Sequence, residues 1–262
     1  MKHRRRKEKY MTKVIMHGCN GKMGQVITEI ISQEQDIQIV AGVDKFVNRI
    51  NDYPVFPHIE ECNIQADVII DFSNASIVDS LLEHAASRKI PVVLCTTGLS
   101  EEQLEKAYAA STKVAILKSA NMSLGVNMLL KLLKEAANVL VPAGFDIEIV
   151  EKHHRHKVDA PSGTALAMAD SINEVLGNEY TYKFDRTGER KARESMEIGI
   201  QTVRGGTIVG EHEVIFAGEE EVIEFRHTAY SKAVFAKGSV QAAKFLAGKP
   251  AGFYDMSDVV NV

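Results

Sequence analysis

Between Lys13 and Asp44 the chain runs apolar strand, glycine turn, amphipathic helix, apolar strand, and no other stretch restricts the fold as strongly. Lys13-Val14-Ile15-Met16-His17 is a short apolar run entering Gly18-Cys19-Asn20-Gly21-Lys22-Met23-Gly24, after which Met23, Val26, Ile27, Ile30 and Ile31 recur at helical spacing. The glycines permit a tight turn and let backbone amides at the helix start approach a pyrophosphate. The spacing Gly-x-x-Gly-x-x-Gly is one residue longer at the front than the usual dinucleotide fingerprint, so a plain strand-to-helix turn stays open as an alternative. Asp44 favours the dinucleotide reading. It closes the alternating segment 37–44 about 20 residues beyond the turn, where a carboxylate accepts hydrogen bonds from ribose hydroxyls. Lys45 follows directly, so the pair suits either a bare 2′-hydroxyl or a 2′-phosphate.

The rhythm continues down the chain. Residues 66–72 are near-continuously apolar, as strands covered on both faces are. Ser73 and Ser76 flank the entry to a helix reaching Arg88. Residues 91–94 form the next strand, which runs into Cys95-Thr96-Thr97-Gly98, and Ser100-Glu-Glu-Gln103 has the spacing of a capping box. A strand over 113–117 ends at Ser119-Ala120-Asn121-Met122. This alternation predicts an α/β fold with a Rossmann-like doubly wound parallel sheet. Ligands of such sheets gather at the carboxyl ends of the strands, where the Gly18 turn, Asp44, Thr96, Thr97 and Asn121 all fall.

From Ser123 the pattern changes. Val126, Leu129, Leu130, Leu133, Ala137 and Leu140 mark an amphipathic helix ending before Pro142. The alternation of residues 146–150 then delivers Glu151-Lys-His-His-Arg-His-Lys-Val-Asp-Ala-Pro-Ser-Gly-Thr164, read as a loop. It crowds His153, His154 and His156 among Lys152, Arg155, Lys157, Glu151 and Asp159. Pro161-Ser162-Gly163-Thr164 opens a helical pattern, so the amides of a helix start point back toward the same place. A helix start beside a lysine attracts an anion, and imidazoles titrate near working pH; together they suit acid/base chemistry on an anionic substrate. Two alternatives remain: a solvated charged face, and a metal site. Against the second, no cysteine lies nearby and the helical His-x-x-x-His pairing is absent.

Residues 178–194 read as a long polar loop. Strand-like runs follow at 198–203, at 207–209 continuing into 213–216, and at 222–227. Gly205-Gly206 and the 218–221 turn suggest antiparallel connections. The expectation is a second α+β domain with a mainly antiparallel open sheet, whose uncovered face suits oligomerisation. A last helix starts near Val234.

At 262 residues the chain is long enough for two modest domains. A net charge of −4 argues against a nucleic-acid binder, and no apolar run approaches the ~20 residues of a membrane helix. Cys19, Cys62 and Cys95 are sparse and odd in number, as free thiols in a reducing compartment are. The first ten residues, MKHRRRKEKY, are charged and lack the apolar core of a secretory signal. They read as a disordered extension ahead of Met11, with a basic partner-binding arm as the alternative.

The string Glu151-x-His153-His154-Arg155-His156-Lys157-Val158-Asp159-Ala160-Pro161-Ser162-Gly163-Thr164-Ala165 resembles the signature of the dihydrodipicolinate reductase family. The likeness extends to Gly18–Gly24, Thr96-Thr97-Gly98, residues 120–127, Arg204–His212 and Phe235-Ala-x-Gly238. It implies a cytosolic, usually tetrameric enzyme of the diaminopimelate route to lysine, which reduces the cyclic dicarboxylate 4-hydroxy-tetrahydrodipicolinate with NADH or NADPH. Carried over by position, His153 resembles the family's proton donor/acceptor and Lys157 its proton donor. His154 resembles a substrate contact, and Gly163 and Thr164 resemble the pair whose amides hold a substrate carboxylate. Gly18, Cys19, Asn20, Gly21, Lys22, Met23, Asp44, Lys45, Cys95, Thr96, Thr97, Ser119, Ala120, Asn121 and Met122 resemble the cofactor contacts; no metal is implied. The resemblance also returns the last helix to the first domain. The expected division is a tail 1–10, a dinucleotide domain 11–124 with 234–262, and a substrate and oligomerisation domain 125–233.

Two positions depart from the pattern: Ser231-Lys232 stands where many members have Ser-Arg, and Cys95 where many have glycine. Lysine cannot make a flat bidentate contact, and the Cys95 side chain either crowds the nicotinamide or packs beside it. Two competing readings stay in view: another nicotinamide enzyme on the same fold, and a non-enzymatic nucleotide sensor using the basic tail.

Overall fold

β1 (Thr12–His17) passes through the glycine turn into α1 (Lys22–Ser32), and β2 (Ile37–Val43) returns parallel to β1. The computed structural model describes residues 11–47 and 49–261, so the basic tail, residues 1–10, lies outside the described residues. Next come β3 (Val55–Phe56), β4 (Val68–Asp71), α2 (Val78–Arg88), β5 (Val92–Leu94), α3 (Glu101–Ser111), β6 (Ala115–Leu117) and α4 (Leu124–Leu140). β7 (Asp146–His153), α5 (Gly163–Val175), β8 (Thr181–Lys183), β9 (Glu197–Arg204), β10 (Gly210–Ala217) and β11 (Val222–Ala229) follow. The chain closes with α6 (Ala233–Leu246), β12 (Gly252–Tyr254) and α7 (Met256–Val260). Contacts divide these elements into two units, one reaching Met122 and resuming at Phe235, the other spanning Ser123–Val234.

The first unit is built on a seven-stranded sheet of order β12-β6-β5-β4-β1-β2-β3 in which every pairing is parallel. Parallel strands need crossover helices on the sheet faces, which is why β4 and β5 are buried along their whole length. Ile15, Ile69, Val92 and Ile116 pack with Leu81, Leu82 and Ala85 of α2 and Ala107 of α3. The capping box at Ser100 and Gln103 forms as its spacing predicts. A single turn of 3₁₀ helix, Ala75–Ile77, precedes α2, with the Asn74 side chain accepting from the Ser76 amide. β3 and β12 escaped the sequence reading: β3 is two residues between prolines and β12 three, too short for an alternation to register.

The second unit is a five-stranded sheet of order β11-β10-β7-β9-β8. It is mixed: β10 pairs antiparallel with β7 and β11, while β9 pairs parallel with β7 and β8. α4 and α5 supply Leu129, Leu133, Ala165, Met168 and Ile172 to a core with Ile147, Ile149, Ile198, Ile200, Val214 and Phe216.

Four local expectations need correction. β7 runs on to His153, so Glu151, Lys152 and His153 belong to a strand rather than a loop; Glu151 and His153 continue the inward set of Ile147 and Ile149. Residues 178–194 are not all loop, because β8 lies within them as an edge strand. Arg186 bonds Glu197 and Glu148 there, and Arg193 bonds Asp146 and the Ile147 carbonyl. Gly205-Gly206 does not join paired strands, since β7 intervenes between β9 and β10. Residues 207–209 stay outside β10, which starts at Gly210.

Candidate active site

In the first unit, the turn after β1 is shaped around two glycines. Gly18 has φ +81°, and a Cβ there would stand 2.5 Å from the Phe72 carbonyl oxygen; one on Gly24 would stand 2.2 Å from the Gly18 oxygen. Only residues without side chains let the turn close so tightly. α1 then starts at Lys22, and its N-cap Gly21 offers no side-chain cap, leaving backbone amides for an anion. Asp44 braces the turn, its carboxylate accepting from the Asn20 amide at 2.9 Å and the Phe46 amide at 2.9 Å.

A cleft of about 580 Å³ opens beside the turn, bordered by Gly18, Asn20, Gly21, Asp44 and Lys45 on one wall and by Ser73, Asn74 and Ser76 on the other. The cradle that a Cβ would fill, the uncapped helix start and the carboxylate at the end of β2 fit a dinucleotide. The second wall did not stand out in the sequence because its serines read as helix entry. Its only sequence signal was its place at the carboxyl end of β4.

The remaining cofactor candidates divide. Cys19 is fully buried, its thiol pushed up to about 12 by burial and by Asp44, so its side chain is closed to a ligand in the cleft. Met122 is buried, Lys22 exposed and Met23 half-buried. Thr96 is buried with its hydroxyl accepting from the Ser73 amide at 3.0 Å, which ties the ends of β4 and β5 together; Thr97 is exposed. Cys95 is half-buried, and burial raises its thiol far above the usual range, with Asp71 adding to the rise, so it packs as a neutral side chain. Ser119, Ala120 and Asn121 follow β6 at the same carboxyl edge. Beneath the cleft His17 Nδ1 meets the buried carboxylate of Asp71 at 2.8 Å, a pair that sequence reading did not find.

In the second unit, register explains how a polar cluster arises inside a sheet. Glu151 of β7 pairs with His212 of β10 and Thr202 of β9, and His153 pairs with Arg204. These residues share strands with the apolar core and lie beyond it along the strand axes. Glu151 has no exposed surface, yet five donors reach it. His153 Nδ1 (2.6 Å) and Arg204 Nη1 (2.8 Å) meet one oxygen; the Ser162 amide (2.9 Å), Thr202 Oγ1 (3.2 Å) and Arg204 Nη2 (2.8 Å) meet the other. Burial would raise this carboxyl, but Arg204, His153 and the Ser162 amide outweigh it and hold it at about 2.

His153 is also buried, and burial pulls its imidazole below the usual value against the opposing pull of Glu151. His212 lies edge-on to it with ring centroids 5.1 Å apart, and burial lowers His212 to about 4. His212 Nε2 meets Ser162 Oγ at 3.0 Å, while Ser162 Oγ accepts from the Ala165 amide and caps α5. Gly163 and Thr164 are the first residues of that helix, and Gly163 is exposed. Lys157 Nζ lies 2.8 Å from Asp159, whose carboxyl Lys157 holds below its ordinary range. His154 is half-buried, with Nδ1 buried and unpartnered among the described residues. The second unit thus gathers all five catalytic and substrate candidates in one region. Glu151, Arg204, Thr202, Ser162 and His212 complete the cluster, although none of them had been singled out as a site residue.

The family model described as dihydrodipicolinate reductase, N-terminus, matches residues 12–122, and the one described as dihydrodipicolinate reductase, C-terminus, matches residues 125–260. Two relatives named 4-hydroxy-tetrahydrodipicolinate reductase are similar over nearly their whole length. The one from Caldanaerobacter subterraneus subsp. tengcongensis is 53% identical over 250 residues, covering 95% of this chain and 98% of the relative. The one from Clostridium novyi is 49% identical over 250 residues, with the same coverage. A solved structure, dipicolinate-bound dihydrodipicolinate reductase from Paenisporosarcina sp. TG-14, superposes with a TM-score of 0.79 at 25% identity, covering 94% of this chain and 97% of that one. With both halves of the chain matched in order, the chain belongs to the dihydrodipicolinate reductase family.

Proposed function

We propose that this chain reduces (2S,4S)-4-hydroxy-2,3,4,5-tetrahydrodipicolinate to (S)-2,3,4,5-tetrahydrodipicolinate and water, using NADH or NADPH, in diaminopimelate and lysine biosynthesis. The observation that carries this reading is the second unit's cluster: a carboxylate-held imidazole, a lysine and a helix start within one 14-residue motif, Glu151–Thr164. The dicarboxylate bound by the Paenisporosarcina relative supports a doubly anionic ring as the ligand here.

A nicotinamide dinucleotide held at the Gly18 turn and Asp44 would supply the hydride that one ring carbon of the substrate takes up. The chain's own residues do the rest. The first turn of α5, at Gly163 and Thr164, attracts a substrate carboxylate through its positive end. Lys157 and His153 move the protons: one reaches the departing hydroxyl while the carbon beside it gives one up, releasing water and leaving a conjugated double bond. One then reaches the carbon next to the hydride acceptor, so the net gain is one hydride and one proton and the net loss one water. His154 presents a second imidazole to the ring's polar groups. In the first unit, Gly18 to Met23 take the pyrophosphate and Asp44 the adenosine ribose; Lys45 beside Asp44 lets a 2′-phosphate be accommodated as well. Cys95 to Thr97 and Ser119 to Met122 line the nicotinamide side. We assign the first unit as the dinucleotide domain and the second as the domain for substrate and for assembly into a cytosolic tetramer. The sheet face opposite the core, which carries the Lys152–Glu211 and Arg226–Glu213 ion pairs, is the assembly surface.

Freshly generated 4-hydroxy-tetrahydrodipicolinate should drive oxidation of NADH or NADPH by the purified protein, and titrating both cofactors decides between them. Oxidation of neither cofactor would overturn the assignment.

A further inference from the structure

We propose that Glu151, clamped by Arg204, is a positioning residue that fixes the tautomer of His153 and, through the same carboxylate, sets the start of α5. The inference rests on the reductase reading for what His153 and α5 do, but the geometry stands apart from it. An ionised carboxylate can only accept, so the His153 nitrogen that faces it at 2.6 Å must carry a hydrogen. His153 is therefore held as the Nδ1–H form, and proton exchange is confined to Nε2. Space for that nitrogen is kept by Gly210, where a Cβ would stand 3.1 Å from Nε2.

The other oxygen of Glu151 accepts from the Ser162 amide at 2.9 Å, and Ser162 is the N-cap of α5. One side chain thus sets the ring that moves a proton and the helix end that receives a carboxylate. Arg204 makes this rigid: it meets both oxygens, and its Nη2 also donates to the Asp159 carbonyl at 2.6 Å, tying down the loop that bears Lys157. Charged or titratable groups facing His153 come from each neighbouring element: Glu151 on its own strand, Arg204 at the end of β9, His212 on β10 and Lys157 on the following loop. His227 on β11 faces His212 in turn. Glu151 is the only carboxylate among them, so it alone can demand a hydrogen on Nδ1.

The test is Glu151→Gln in the full chain, read three ways. Nitrogen NMR of the substrate-free protein should show the His153 Nδ1–H form in the parent and a mixture of tautomers in the variant; this needs no reaction, so it separates failure of the positioning role from failure of the reductase reading. In turnover, kcat should fall by about 10²-fold or more, as when a triad carboxylate that fixes an imidazole tautomer is made an amide. The acid limb of the pH–rate profile should move with it. Dipicolinate should bind the variant several-fold more weakly, because the start of α5 loses its tether. Should Glu151→Gln fail to fold, Arg204→Lys keeps the charge but loses the bidentate clamp, and should show the same changes at smaller size. A folded variant with the parent's tautomer, pH profile and dipicolinate affinity would overturn the proposal.

Discussion

Replacing Glu151 by Gln also has a consequence for stability that can be worked from the structure. The carboxyl falls from an ordinary 4.5 to about 2, and Glu151 has no exposed surface to screen it. At ~1.4 kcal/mol per pH unit this is worth about 3 kcal/mol, within the range for breaking one side of a buried ion pair. A carboxyl held below its unfolded value stabilises the fold above that value, and the contribution disappears as pH drops toward the folded one. The parent should therefore be the more stable protein at pH 7, and should lose that advantage between about pH 4.5 and 2. For a unit of this size the pH 7 difference corresponds to roughly 10 °C in Tm. Scanning calorimetry of both proteins across this pH range reads it directly. A Tm difference that is absent at pH 7, or that stays constant down to pH 2, contradicts the electrostatic account of Glu151.

Gly24→Ala would place a Cβ 2.2 Å from a backbone oxygen of the same turn, so the turn must shift and reduced-cofactor affinity should weaken by about tenfold or more; a fluorescence titration giving the parent's Kd would contradict this. Asp159→Asn removes the partner 2.8 Å from Lys157 Nζ. Because that pair is partly exposed, Tm should change little, whereas the freed ammonium should bind dipicolinate a few-fold tighter in calorimetric titration. Weaker binding would show that Asp159 supports the site instead of competing for Lys157.

Much of the fold was legible because its signals are local and periodic. The apolar runs of β1, β2 and β4, the glycines at 18 and 24, and the box at Ser100 and Gln103 each state a backbone requirement in a few residues. What escaped depends on pairing. β8 is a three-residue edge strand, held by its parallel pairing with β9 rather than marked by an alternating apolar pattern. The strand character of Glu151 and His153 was hidden because polar residues took the inward positions, which only the register with Arg204, Thr202 and His212 makes tolerable. Of the site, the histidine motif was readable as chemistry. The carboxylate that organises it lay in plain view at the motif's first position, but Thr202 and Arg204, which hold it, stand some 50 residues away along the chain.

The proposed reduction depends on a bound dinucleotide and on protons carried by His153 and Lys157. Its most direct test follows reduced-cofactor absorbance after adding freshly generated 4-hydroxy-tetrahydrodipicolinate to the parent, His153→Ala and Lys157→Ala, with cofactor binding measured separately in each. Rapid oxidation by the parent is expected, with a fall in kcat of about 10²-fold or more in both variants and unaltered cofactor affinity. Parent-like turnover in both variants would contradict it.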